Sequence, residues 1–399
     1  MWLRNAKLVD VQNGEILEGT SVHVLEGRID KLSRLGDGGR PAEDEPVLDL
    51  EGAYLAPGLI SCHTHLSIVF PFNETDENEH AGYTALRAAK RATDALHAGV
   101  TTVRTTGEIH RIDLVLRDMI ARGWARGPRI VAAGRGVDTT GGHGSGFGPA
   151  VADGPEEFLK AARAELAAGA DHIKIFLSGG IAGRREGFGA TQVSLEEARA
   201  AVYAARSHGT YVTAHAGDSG PIRVGLEAGV RCFEHAYHLD QETAALMAEA
   251  GAWLVPTLAV SRCADWMRAN RFEEWTIAKS LAAAPEHLQS IRYAVQAGIH
   301  IAHGTDMPPG ERTDGTSAAV REAEHMASAG MSALQVLQAS TIEAARLCCI
   351  EEETGCLEVG RAADFIAMPE NPLDGISALR DLFLVVKAGE VVRDDRKGN

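Results

Sequence analysis

The stretch PEEFLKAARAELAAGADHIKIFLSGG, residues 155–180, joins two textures that alternate through the middle of the chain. Its first part is rich in Ala, Glu and Arg with helical spacing, opens on Pro155 followed by Glu, and closes on Gly169, as helices do. Its second part, HIKIFLSGG, is a short β-branched and apolar run. The same pairing recurs on both sides. Strand-like runs are TTVRTT, RIVAAGRG, TYVTAHAG, RCFEHA, AWLVPTLAV and HIAHGTD; helix-like runs include SLEEARAAVYAARSHG and QETAALMAEAG. With LISCHTHLSI at 59–68, eight strand-like runs lie between about residue 59 and residue 306. Strands alternating with helices imply a parallel sheet, and eight such units imply a (β/α)8 TIM barrel, with an open doubly wound sheet as the competing arrangement.

The flanks read differently. Residues 1–56 and 354–399 hold short strands and turns, such as SVHVLEGRIDKL and LVVKAGEVV, and neither has enough apolar residues to form a core alone. They are expected to pair into one composite β-sandwich domain beside a barrel spanning 57–353, with a helical insertion around 261–296 over the barrel mouth. The glycine-rich GGHGSGFG at 141–148 matches neither a phosphate loop nor a dinucleotide fingerprint.

Composition excludes some partners. Thirty-nine basic and 55 acidic residues give a net charge of -16, which repels nucleic acid and anionic membranes. The first residues lack the pattern of a signal peptide, and no apolar run approaches the roughly 18 residues of a membrane span. Six scattered cysteines without CxxC spacing read as reduced thiols. A cytoplasmic protein acting on a small molecule is the expectation, with a homo-oligomer allowed by the exposed edge of the small β-domain.

Barrel active sites lie at the C-terminal ends of the strands. There the sequence places residues that are costly to bury: His63 and His65 on strand 1, Lys174 between Ile173 and Ile175 on strand 4, His215 on strand 5, His235 on strand 6 and Asp306 after strand 8. Alternate strand residues share a face, so His63 and His65 converge. Neutral imidazole is a common metal ligand. Each residue alone has a bland reading, a satisfied core histidine, a snorkelling lysine or a turn-capping aspartate, but five strands carrying them at comparable heights favour a metal centre. Cys62, one position before His63, faces away and reads as core. His172, His300 and His303 read as packing or supporting residues, and His287, with the remaining histidines, as an ordinary surface or helix position.

The order H-x-H, Lys, His, His, Asp over such a barrel resembles the amidohydrolase superfamily, as do LAPGLISCHTHL before strand 1 and GCLEVGRAADFIAM near the C-terminus. TTGGHG, HIKIFLSGG and HGTDMPPG are most similar to its imidazolonepropionase-related and prolidase-like branch. The resemblance implies two divalent metal ions, zinc being the expected metal. His63, His65 and Asp306 would hold one, His215 and His235 the second, and a carbon dioxide-derived carbamate on Lys174 would bridge them. Burial lowers the lysine pKa and frees the amine for that addition. The implied chemistry is hydrolysis of an amide, of a dipeptide or N-acyl amino acid, by a metal-bridging hydroxide with Asp306 as proton acceptor.

His143, after strand 3, is a candidate to meet a substrate carbonyl or carboxylate. Arg135, Tyr237 and His238 are further candidates, and Arg184 and Arg185 read equally as surface charges. GRREGFGATQVS at 183–194 and EHAYHLD at 234–240 depart from the prolidase-like pattern and argue against a strict proline preference. The rival readings are a mononuclear deaminase or imidazolonepropionase-like ring opener, a lactone or phosphoester hydrolase with the same centre, and a catalytically inactive binding module.

Overall fold

The computed structural model describes residues 1–34 and 45–398. Eight parallel strands form its centre: β1 (Leu59–Thr64), β2 (Val100–Thr105), β3 (Arg129–Val131), β4 (Ile173–Phe176), β5 (Val212–Asp218), β6 (Cys232–His238), β7 (Trp253–Val255) and β8 (His300–Ile301). The first three make one sheet. The other five make a second, extended at the β4 edge by Val137–Asp138 and Ala150–Val151. Backbone hydrogen bonds join the two sheets at both seams, from Asp171 N to Ala132 O (2.7 Å) and from Cys62 N to His303 O (2.7 Å).

A helix follows each strand. Those after β3 and β4, Pro155–Ala168 and Leu195–Ser207, begin where the sequence signals put them, with Pro155 in the first turn of one and Ser194 with Glu197 forming a capping box on the other. Alanines such as Ala198, Ala201 and Ala205 fill the buried face, so the helix backbone approaches the sheet closely. Between β7 and β8 the crossover is enlarged into the helices Ala264–Ala269 and Glu274–Ala297, in the region where a helical insertion is expected. No helix among the described residues is long and apolar enough to cross a membrane.

The flanking segments meet in one eight-stranded mixed sheet. Tyr54–Pro57 lies between Trp2–Asp10 and Phe365–Met368, so strands from the two ends of the sequence are direct neighbours. Leu3, Leu8, Val22, Ile29, Leu55, Phe365 and Val386 give this sheet its own buried cluster, separate from the larger core between the parallel strands and their helices.

Candidate metal and active site

β1 is buried along its whole length, and Arg104 of β2 and Glu234 of β6 are closed to solvent beneath its end. Glu234 accepts hydrogen bonds from Arg104 (2.6 Å), from His63 Nδ1–H (2.7 Å) and from the Thr213 hydroxyl. Burial alone would raise its pKa, but Arg104 and His63 hold it well below the usual carboxylate range. The ion pair therefore fixes the His63 ring with Nδ1 occupied and Nε2 directed to Asp306 Oδ1 at 3.0 Å. His65 is arranged alike, its Nδ1–H donating to Gly107 O (2.9 Å) and its Nε2 lying 3.3 Å from the same carboxylate oxygen.

His235 has Nδ1 hydrogen-bonded to the Thr257 hydroxyl (2.7 Å), and His215 donates Nε2–H to Gly179 O (3.2 Å). Each ring keeps its second nitrogen for another partner, as metal-ligating histidines do. Burial drives the pKa of both well below that of free imidazole, so both are neutral and retain a lone pair. Ring centroids run 5.3 Å from His63 to His65, 4.9 Å from His63 to His235 and 4.5 Å from His235 to His215. His63, His235 and Asp306 offer ligand atoms within 4.8 Å of one another. His235 (φ 73°) and Asp306 (φ 54°) both occupy the left-handed region, a conformation costing about 1–3 kcal/mol that the surrounding structure maintains. Asp306, which burial alone would push up, is held well below the ordinary carboxylate range by His63, His65 and His235.

Lys174 is buried in β4, makes no hydrogen bond or ion pair among the described residues, and has Nζ 5.1 Å from the Phe176 ring centre. Burial lowers its pKa to about 8. His63, His65, Lys174, His215, His235 and Asp306 all line one cavity with about 890 Å³ of empty space, part of it open to solvent. Two glycines make that convergence possible. A Cβ at Gly304 would stand 2.7 Å from His63 N, and one at Gly180 would stand 2.6 Å from His143 Nε2 and 2.7 Å from His215 Cε1. The donor set, four pre-oriented imidazoles, a carboxylate and an unpartnered amine, fits divalent metal.

The other candidates divide. His143 lines the cavity, stacks on His215 (4.2 Å) and pairs through Nδ1 with Glu186 (2.6 Å). Tyr237 lines it as well, stacked on His235. Arg135 does not line it: its guanidinium turns to Glu165 at 3.3 Å, and that buried carboxylate also takes its backbone N–H. Nor does His238, which faces Asp218 (3.6 Å) and Glu286 (3.2 Å). Both expectations are corrected for one reason: the sequence places a residue at or beyond the end of a strand, while the nearest carboxylate sets where its side chain goes. Arg184 and Arg185 are exposed, and Cys62 is core, with Sγ 3.8 Å from Cys348 Sγ. His287 is not an ordinary position. It is fully buried, its Nε2–H donates to the carbonyls of His235 (3.0 Å) and Pro256 (2.9 Å), and Nδ1 accepts from Ser261.

Sequence reasoning passed over Arg104, Glu234, Glu186 and a wall of aromatic side chains. Arg104 in TTVRTT and Glu234 in FEHA carried the same signal as Lys174, a charge inside an apolar strand.

A family profile described as Amidohydrolase family matches residues 54–393. An ochratoxinase from Aspergillus niger is 29% identical over 359 residues, covering 82% of this chain and 72% of its own. The solved structure of A. niger ochratoxinase superposes with a TM-score of 0.85 at 26% identity, over 98% of this chain and 95% of that one. A solved Xaa-Pro dipeptidase with bound methionine gives 0.88 at 30% identity, over 98% and 99%. The imidazolonepropionase of Symbiobacterium thermophilum is 25% identical over 435 aligned positions, covering 97% of this chain and 93% of its own.

Proposed function

The chain belongs to the amidohydrolase family, hydrolases of carbon–nitrogen bonds, and on that premise we propose that it cleaves an amide with two divalent metal ions, zinc in the first instance, held at the end of a closed (β/α)8 barrel beside a small β-sandwich. One observation carries this reading: His63, His65, His215, His235 and Asp306 converge on the cavity that also receives the unpartnered amine of Lys174. His63, His65 and Asp306 would hold one ion and His215 and His235 the other, with Lys174 carboxylated to bridge them.

When bound, such ions polarise the scissile carbonyl and acidify water. Asp306 takes the water proton on its free carboxylate oxygen and passes it to the departing amine, so that the acyl carbon gains OH and the nitrogen gains H. Glu186 holds Nδ1 of His143 and leaves Nε2 for substrate. That nitrogen accepts a hydrogen bond while the ring is neutral and donates one to a carbonyl or carboxylate oxygen when it is protonated. Tyr237, whose hydroxyl makes no hydrogen bond among the described residues, is the second group for a substrate oxygen. Dipeptides and N-acyl amino acids fit this arrangement, His143 and Tyr237 being what the structure offers their carboxylate.

The test is metal analysis with activity on a panel of N-acyl amino acids and dipeptides. Two equivalents of metal, loss of turnover on chelation and recovery on adding zinc are expected. Lys174→Ala should lower both metal content and rate. One equivalent at full activity, or a Lys174→Ala enzyme with unaltered metal and rate, would replace this reading with the mononuclear one.

A further inference from the structure

Aromatic residues make up 5% of the chain, with ten phenylalanines among them. Five of those ten, Phe70, Phe72, Phe147, Phe176 and Phe272, line the cavity of the histidine cluster, joined by Trp266. The rings form a continuous surface. Phe70 lies 5.1 Å from Trp266 and 5.5 Å from Phe72, and Phe72 lies 5.5 Å from Phe147 and 5.2 Å from Phe272, mostly edge to face. Phe70 and Phe72 come from the loop after β1, Phe147 from the glycine-rich loop after β3, Trp266 and Phe272 from the insertion after β7 and Phe176 from β4. Phe70, Phe72, Trp266 and Phe272 also share one apolar cluster that packs the insertion against the barrel end.

A cluster that only anchored the insertion would be sealed. Trp266 and Phe272 are buried in that manner, but Phe70, Phe72 and Phe147 are only partly buried and keep some surface open. Aromatic faces left open beside polar, reactive groups mark a site for an apolar ligand. Cationic side chains are scarce on the same surface. Apart from Lys174, no lysine or arginine among the described residues lines the cavity; Arg91, behind Phe70, is turned to the carbonyls of Leu66 and Ile68. Phe72, Phe147 and Phe272 also border an adjoining outer chamber whose charged lining residues are Glu186 and Glu273.

We propose that the substrate is an amide carrying an aromatic or comparably bulky apolar group next to the scissile bond, seated on Phe70, Phe72, Phe147, Trp266 and Phe272, and that apolar contact rather than charge pairing selects it. The inference rests on the amide-hydrolase reading above.

The zinc-loaded enzyme should be assayed with N-acetyl-alanine, N-phenylacetyl-alanine, N-acetyl-phenylalanine and Ala-Pro. At least one ring-bearing amide should exceed N-acetyl-alanine in kcat/KM by about tenfold or more, the effect of burying one such side chain. Trp266→Ala and Phe72→Ala, the latter at a partly buried position, should each narrow that ratio several-fold while retaining the wild-type metal content, which reports an intact fold. N-acetyl-alanine or Ala-Pro as the best substrate, or a ratio unmoved in both variants, overturns the inference and leaves the amide-hydrolase reading in place. Failure of the metal-loaded enzyme to cleave any amide of the set overturns both.

Discussion

Glu234 is closed to water, does not line the cavity of the histidine cluster, and still governs the site, because it joins the Arg104 guanidinium to the His63 ring. Replacing it by Gln removes the charge that Arg104 needs and loosens the His63 tautomer. Glu234→Gln should weaken metal binding about 10–100-fold and destabilise the fold by about 3–5 kcal/mol, the cost of leaving a buried charge unpaired. Zinc titration and thermal melts of the metal-free protein measure the two effects separately. At this scale the candidate ligands were legible because a histidine or lysine in a closed strand has few other reasons to be there. Glu234 and Arg104 carried the same mark, a charge in an apolar strand, but only the fold reveals that they meet and hold His63. Arg135 and His238 were misread for the complementary reason: Glu165, Asp218 and Glu286, distant in sequence and on other elements, capture them.

Among the elements, the helix Glu274–Ala297 ties the insertion to the site. Lys279 donates to the carbonyls of Gly180 (2.5 Å), Gly183 (2.6 Å) and Glu186 (2.8 Å), fastening the loop after β4 to the helix. That loop carries Glu186, which orients His143. Lys279→Ala should therefore lower kcat/KM about tenfold through a looser His143, with metal stoichiometry unchanged, as steady-state kinetics and metal analysis together would report. A fall in metal content would place the effect at the ligands instead. The helices themselves were readable from local chemistry, Ser194 with Glu197 or Pro155 being sufficient to mark a start. The loop-to-helix stitching was not, since a lysine on a helix carries no sign that three backbone carbonyls surround it.

Across the whole molecule, Asp364 joins the flanking sheet to the parallel strands. Its buried carboxylate accepts from Arg129 of β3 (2.9 Å), from Lys387 (3.2 Å) and from the Ala388 N–H (2.8 Å). Burial would raise its pKa, but Lys387 and Arg129 lower it below the ordinary value. A carboxylate with a depressed folded-state pKa stabilises fully above its unfolded value, near pH 4, and loses that contribution as pH falls through the folded value. Asp364→Asn should thus cost about 3 kcal/mol at pH 7, with the gap between wild type and variant closing progressively below pH 4 in denaturant titrations. A gap constant down to pH 2 would place the effect in packing instead of charge. That the two flanks share a sheet was legible from their thin apolar content; which strands adjoin was not, because pairing across some three hundred residues leaves no local mark.

That pairing has a consequence in time. Leu55 sits opposite Ala367. At about 5–20 residues per second of synthesis, roughly 15–60 s pass between the emergence of one strand and that of its neighbour. Throughout that interval Tyr54–Pro57, paired only with Trp2–Asp10, keeps an open apolar edge, a state suited to holding by a chaperone and prone to clumping without one. Yield in a cell should accordingly depend on translation speed and chaperone supply more steeply than the stability of the finished molecule would suggest.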